Sequence, residues 1–404
     1  MNIDEQVTTL MQGTEYGDET LQQAMADELR QRLIEAHQEG RSLRVYCGYD
    51  PRTTDLHLGH TITMRKLRQF QDLGHEVVFL IGTYTSLIGD PSDQDQLRPQ
   101  LTFDEVEHNA RTYAEQAFKI LDRNKTIVRF NHEWLSQLDF ADLIKMASNF
   151  TIQQFLTRDN FKLRFEQGDA VYLHETFYAL MQGYDAFALN TDVQVGGTDQ
   201  LFNIVTAARK LMTFLGKKPN IAIIMGILPG TDGVIRMSKS LGNHIPILAS
   251  PDDMYGKVMS LPDQAMGDYC RLVTRWSVGE IAELEHNLDA GLLHPRDLKM
   301  KLAYEIVDIF HGDQAANQAQ SNFVRVFQRG DVPEEMGEYH LLPGQTVLDV
   351  LESGGLISSR GEGRRLIAQN GVRLDGETLK DPNQPFPHPG ILQAGKRRFL
   401  RVVT

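Results

Sequence analysis

A short apolar run, Val45-Tyr46-Cys47-Gly48-Tyr49-Asp50-Pro51, closes on Asp-Pro, and Leu56-His57-Leu58-Gly59-His60 opens a helical pattern directly after it. Few folds accept that order. It reads as a strand, a glycine-bearing turn and a helix N-terminus. The first turn of a helix exposes unpaired N–H groups and the positive end of its dipole, so this junction is a ready site for phosphate. His57 and His60 stand three apart and share one helical face. Gly59 between them lets a flat base or a backbone come close. The plainer alternative is two surface histidines at a helix start.

The flanking pattern extends the unit. Leu21, Met25, Leu29 and Leu33 recur at helical spacing before a cap at Gly40, and Leu43 to Tyr46 read as the first strand. The helix after His60 carries Ile62, Leu67, Phe70 and Leu73 and stops at Gly74. Val77-Val78-Phe79-Leu80-Ile81-Gly82 is a continuous apolar run, as expected of a strand buried on both faces of a parallel sheet. Strand, helix and strand form a βαβ unit. The first half is therefore expected to be an α/β doubly wound parallel sheet with ligands at the carboxyl ends of its strands. Residues 102–170 read as a mostly helical insertion with one strand at Thr126–Phe130, and Ile221–Met225 as a further buried strand. From Pro251 to about Gly330 the pattern is all-helical; a polar linker follows around Val332-Pro333-Glu334-Glu335, and short elements alternate with turns from Leu341 onward.

At 404 residues the chain exceeds one compact core, so two or three domains are expected: 1–248, 249–331 and 341–404. No apolar run reaches the roughly 18 residues of a membrane span, and the N-terminus is acidic, unlike a secretory signal. Cys47 and Cys270 are the only cysteines, too few for a disulfide framework or a zinc cluster. A cytoplasmic protein is the expectation. A net charge of −13 argues against a protein that coats nucleic acid non-specifically. The charge is uneven: residues 341–404 carry nine Lys and Arg against six Asp and Glu, or +3, leaving −16 elsewhere. A nucleic-acid surface on a C-terminal module fits that asymmetry.

Three further motifs carry chemistry. Arg236-Met237-Ser238-Lys239-Ser240 follows the last buried strand. Two cations and two hydroxyls on one loop can wrap a triphosphate and neutralise charge developing on a leaving pyrophosphate. Tyr178, Gln182 and Asp185 stand at i, i+4 and i+7, a polar stripe where a core-facing helix would be apolar; the alternative is a solvated face. Gly196-Gly197-Thr198-Asp199-Gln200 ends a strand, with glycines that admit a ligand and a carboxylate suited to a ribose hydroxyl.

His57-Leu58-Gly59-His60 and Arg236–Ser240 resemble the two ATP motifs of class I aminoacyl-tRNA synthetases, with Arg236 in place of the first lysine of the second motif. The Tyr178–Asp185 stripe and the Gly-Gly-Thr-Asp-Gln turn narrow the resemblance to the tyrosyl-tRNA synthetases of bacterial type, from about Leu43 to Thr404. The resemblance implies a Rossmann-like catalytic domain with the helical insertion as dimer interface, a helical anticodon-binding domain and an α+β S4-like RNA-binding domain. It implies that Tyr46 and Asp185 bond the substrate phenol, and that Asp90, Tyr178 and Gln182 hold its ammonium group. Asp50 and Gln200 would line the tyrosine and its reacting carboxylate. Gly48, Gly59, Gly197 and Asp199 would bind adenosine, while Ser238 belongs to the ATP loop. His57, His60, Arg236 and Lys239 would stabilise the phosphates. In the C-terminal run, Arg360, Arg364, Arg365 and Arg373 resemble S4-like RNA contacts; solvated surface arginines are the alternative.

The implied reaction joins L-tyrosine to ATP as tyrosyl-adenylate with loss of pyrophosphate, then transfers tyrosyl to the 3′ end of tRNA(Tyr). ATP is a substrate that brings its own Mg2+, no protein-bound metal is expected, and the implied assembly is a homodimer off the membrane. A site that hydrogen-bonds a phenol rejects the analogue lacking it far more strongly than a pocket rejects a missing methylene, so no editing domain is expected. Three departures stand out: Asp93-Gln94 after Asp90-Pro91-Ser92, where a glycine and a basic residue are usual, with Arg98 as a substitute cation; Arg52, where threonine is usual; and Arg236 for lysine, which keeps the charge and changes its geometry. Cys47 reads as packing, and His132, Trp134 and His174 as structural. The rival readings are a tryptophanyl enzyme and an RNA-binding paralogue without aminoacylation.

Overall fold

The computed structural model describes residues 1–51, 56–92, 102–328, 336–395 and 398–404. Arg52, Asp93, Gln94, Arg98 and the 332–335 linker lie outside them. Contacts divide the chain into two compact units, Met1–Ala316 and Asn317–Thr404.

The first unit is built on five parallel strands: β1 (Arg44–Tyr49), β2 (Glu76–Ile81), β3 (Thr126–Phe130), β4 (Val193–Gly197) and β5 (Ile221–Met225), in the order β3-β2-β1-β4-β5. The apolar runs form the strands because both faces of the sheet are covered: every residue of β5, and Val77 to Ile81 of β2, are buried. β1 continues three residues beyond Tyr46, in register with β2 as far as Tyr49 opposite Ile81. Thr126–Phe130 pairs in parallel with β2. It is thus the edge of the main sheet, and the helix Phe103–Ala117 is its crossover; the helices interposed before β4 begin at His132. Strand order reverses between β1 and β4, so a crevice opens beyond their carboxyl ends.

Two helices precede β1. Ile3–Met11 and Glu19–Gln38 are separate helices. Between them Glu15 N donates to Ile224 O at 2.8 Å and Tyr16 Oη to Ala222 O at 2.5 Å, so the arm lies along β5. Helices from Pro251 to His311 pack within the same unit; among them Tyr269 Oη donates to Pro229 O at 2.9 Å. No helix among the described residues is long and apolar enough to cross a membrane.

The second unit holds helices Val347–Ser353 and Arg360–Ala368 against a sheet of β6 (Gly337–His340), β7 (Val372–Leu374), β8 (Glu377–Thr378), β9 (Gly390–Ala394) and β10 (Arg398–Val403). Its strand order is β6-β10-β9-β7-β8. Leu348, Leu351, Ile367, Val372, Leu392 and Val402 form its own core. Asn370 takes φ +56° at the end of the second helix, a left-handed turn suited to asparagine.

Candidate active site

A cavity of about 370 Å3 lies at the carboxyl ends of β1 and β4. Its wall gathers residues far apart in sequence. From β1 and the turn after it come Tyr46, Gly48 and Asp50; from the helix Leu58–Asp72 come Gly59 and His60. Tyr178, Gln182 and Asp185 arrive on one face of the helix Leu173–Ala188, and Gly197, Asp199 and Gln200 at the end of β4. Asp90 completes the set. The i, i+4, i+7 stripe therefore faces a cavity and not solvent.

At the deep end Tyr46 is fully buried, and its Oη donates to Gln182 O at 3.4 Å. Asp185 is buried nearby. Its Oδ1 accepts from Trp134 Nε1 at 2.7 Å and its Oδ2 from Asn131 Nδ2 at 3.3 Å. Burial pushes the Asp185 carboxyl up to about 8 against the pull of those two donors. Tyr46 is held well above the usual phenol range, first by burial and then by the neighbouring Asp185. A tyrosine hydroxyl and a carboxyl group thus both line the buried end of the cavity, a pair that can donate to and accept from one phenolic hydroxyl. Trp134 reads as structural from sequence, but the structure makes it a holder of Asp185.

Nearer the mouth Tyr178 Oη donates to Asp50 Oδ2 at 3.0 Å, and Thr85 Oγ1 to Asp50 Oδ1 at 2.8 Å. Gly82 permits this approach, since a Cβ there would collide with the Asp50 carboxylate and the Thr85 hydroxyl. Asp90 accepts from Ser92 N at 2.8 Å and from Gln200 Nε2. Arg158 Nη2 reaches Ser92 Oγ at 2.6 Å and so steadies the Asp90 turn. Gln182 Oε1 is buried with no hydrogen-bond partner among the described residues, an acceptor available to a ligand. Asp50, Asp90, Asp185 and Asp199 all line the cavity, and no lysine or arginine does among the described residues. Such a wall attracts an ammonium group.

His57 is the N-cap of the helix Leu58–Asp72. Its Nδ1 accepts from Gly59 N at 3.2 Å, and His60 Nδ1 accepts from His57 N at 3.3 Å. Both Nδ1 atoms being acceptors, each ring carries its proton on Nε2. Burial drives His57 down to about 3, helped by His60, His244 and Lys239, and drives His60 down to about 4. At neutral pH both are uncharged Nε2–H donors at a helix N-terminus. They can bond phosphate oxygens without adding charge.

The second motif is tied to the first by backbone. Leu58 N donates to Ile245 O at 3.0 Å and Ile247 N to Leu56 O at 3.1 Å. Asn243 fixes the loop, with Oδ1 accepting from Ser238 N at 2.8 Å and Nδ2 donating to Arg236 O at 3.2 Å. Lys239 is exposed yet its charge is felt at His57. Ser238 Oγ lies 2.9 Å from Ser240 Oγ. Arg236 does not join the main cavity: it lines a neighbouring one of about 480 Å3 with Glu15 and Asp268. In the second unit Arg364, Arg365 and Arg373 are exposed, whereas Arg360 Nη1 is paired with Asp349 and Glu352 at 2.9 Å each. Sequence reasoning passed over Trp134, Asn131, Thr85 and Arg158, which act through tertiary contacts that no local motif marks.

A family model described as tRNA synthetases class I (W and Y) matches residues 38–328, which contain both histidines and the Arg236–Ser240 loop, and one for the S4 domain matches residues 347–388. The first match spans most of the chain and puts it among the class I synthetases. The tyrosine–tRNA ligase of Carboxydothermus hydrogenoformans is 45% identical over 386 residues, 93% of this chain and 94% of that protein. That of Oleidesulfovibrio alaskensis is 44% identical over 408 aligned positions, 100% of both chains. With such identity along the whole sequence, the chain belongs to the tyrosine–tRNA ligase family. The solved tyrosyl-tRNA synthetase of Archaeoglobus fulgidus, complexed with L-tyrosine, shares the fold with a TM-score of 0.61 at 23% identity, over 79% of this chain and 100% of that one.

Proposed function

We infer that this chain is a tyrosine–tRNA ligase: it activates L-tyrosine with ATP and transfers the tyrosyl group to the 3′ end of tRNA(Tyr). The observation that carries the assignment of the pocket is the buried Tyr46–Asp185 pair, with Asp185 anchored by Trp134. In this reading the substrate phenol bonds Tyr46 and Asp185. Its ammonium group meets Asp90, Tyr178 and Gln182 Oε1, while Asp50 and Gln200 bound the space for its carboxylate. Gly48, Gly59 and Gly197 let adenosine lie against backbone, and Asp199 takes the ribose. A Cβ on Gly197 would stand 2.5 Å from Asp199 Oδ1, so a larger residue there would displace the Asp199 carboxylate.

The tyrosine carboxylate attacks the α-phosphorus and pyrophosphate leaves. No enzyme nucleophile is needed; alignment and charge stabilisation carry the step. Neutral His57 and His60 donate from the helix terminus to phosphate oxygens. Cations must come from beyond the acidic wall, so Arg236 and Lys239 move onto the phosphates with Ser238, and Mg2+ enters with ATP. The helical residues 249–331 and the S4-like residues 341–404, with Arg364, Arg365 and Arg373 foremost, take the tRNA. Phe140, Ile144, Ile152, Phe165 and Leu173 expose large apolar surface on the interposed helices, which supports a homodimer through that region. The cytoplasm is the compartment where these substrates meet. The test is charging of total tRNA with labelled amino acids: tyrosine alone is attached, and attachment of tryptophan in its place would overturn the reading.

A further inference from the structure

The crossover helix Phe103–Ala117 brings one side chain into the cavity that no motif announces. Val106, Ala110, Tyr113 and Ala117 form a buried stripe along that helix, which on spacing alone is ordinary core. Tyr113 differs from the other three. Its ring is 5% exposed, it lines the cavity, and its hydroxyl has no hydrogen-bond partner among the described residues. The hydroxyl is therefore not sealed in the core but opens onto the cavity.

The position is held firmly. Gln116, one turn along on the same face, accepts the Leu56 backbone N–H through Oε1 at 3.0 Å, which ties this helix to the entry of the histidine motif. The Tyr113 ring stands edge-on to His60, with centroids 6.4 Å apart, and tilted against Tyr49 at 6.0 Å. Cys47 and Asp50 are the charged-state neighbours that, after burial, hold its phenol above the usual range, so the hydroxyl keeps its proton. It therefore sits between the end of β1 and the helix N-terminus that faces the phosphates.

Resting on the tyrosine-activation reading above, we propose that Tyr113 is a further substrate-contacting residue, whose hydroxyl donates to the nucleotide at its ribose–α-phosphate junction. The contact is made to ATP and not to tyrosine, because the ring stands against His60 at the helix N-terminus and the phenol end is closed by Tyr46 and Asp185.

The experiment is pyrophosphate exchange by the full chain and its Tyr113→Phe variant, with tyrosine and ATP varied separately and melting temperature recorded. The substitution removes a hydroxyl that bonds none of the described residues, so stability is expected to hold. Exchange should fall about ten-fold or more in kcat/KM for ATP, with KM for tyrosine unchanged. Repeating the comparison with 2′-deoxy- and 3′-deoxy-ATP locates the contact. If the variant loses nothing further with one deoxynucleotide, the hydroxyl meets that ribose oxygen; an equal loss with all three nucleotides places it on the phosphate. Wild-type exchange with an unaltered variant, or a change confined to KM for tyrosine, would overturn the inference while leaving the activation reading intact. Absence of exchange in the wild type would instead remove the reading on which it rests.

Discussion

Replacing Trp134 by phenylalanine tests the phenol end of the pocket without touching either group that would meet the substrate. The indole Nε1–H is the shorter of the two bonds to Asp185, at 2.7 Å against 3.3 Å from Asn131. It is also the larger of the two pulls opposing the rise of the carboxyl to about 8. With its carboxyl raised to about 8, Asp185 is mostly uncharged at neutral pH, and a hydrogen bond to an uncharged group is worth about 0.5–1.5 kcal/mol, or about 2- to 13-fold at 1.36 kcal/mol per decade. Trp134 is only half-buried, so phenylalanine leaves the core intact. The expected result is a fall of that size in kcat/KM for tyrosine in pyrophosphate exchange. Phenylalanine offers no hydroxyl to Asp185, so its rate should hardly move and discrimination should shrink by the same factor. A tyrosine rate within two-fold of wild type would refute the reasoning. So would an equal fall for both amino acids, which would signal a general loss of structure.

Two other perturbations separate the parts of the account. His57 and His60 stay neutral in the fold down to about 3 and 4, whereas an unfolded histidine takes up its proton near 6.5. The unfolded state binds more protons across that interval, so stability present above pH 6.5 is lost as pH falls towards 4, by up to about 1.4 kcal/mol per unit and per group. Urea titrations at pH 7 and 5 should show this slope, reduced in the His57→Asn, His60→Asn double variant; an unchanged slope would mean the rings are charged in the fold. In the second unit, Arg364→Ala with Arg365→Ala should weaken tRNA binding and lower its salt dependence by about one to two units of slope, with pyrophosphate exchange unaffected. Arg360→Ala should do less, its guanidinium being already paired with Asp349 and Glu352, and an equal effect of all three would show that pairing to be irrelevant.

The fold was legible wherever burial is two-sided. The runs that became β2 and β5 are continuous apolar stretches because both faces of the sheet are covered. The cavity wall was legible where short motifs sit at strand ends, from Tyr46 through Asp50 and from Gly197 to Gln200. What sequence could not show are groups that act across the fold. Trp134 reaches Asp185 from a short helix with no polar periodicity of its own. Tyr113 hides in an apolar stripe, where its hydroxyl is silent until the opposite wall is in place. The arm at Glu15 and Tyr16 carries no local signal because its pairing partner, β5, lies some two hundred residues away. Arg236 belongs to a recognisable loop, yet its placement beside Glu15 and Asp268 depends on that arm.

The measurement that bears most directly on the central claim is amino-acid-dependent exchange of labelled pyrophosphate into ATP, with tyrosine, phenylalanine and tryptophan compared in the wild type, Asp185→Ala and His60→Ala. The account predicts exchange with tyrosine alone, abolished or greatly reduced in both variants. Exchange with tryptophan, or no exchange with any of the three, would contradict it.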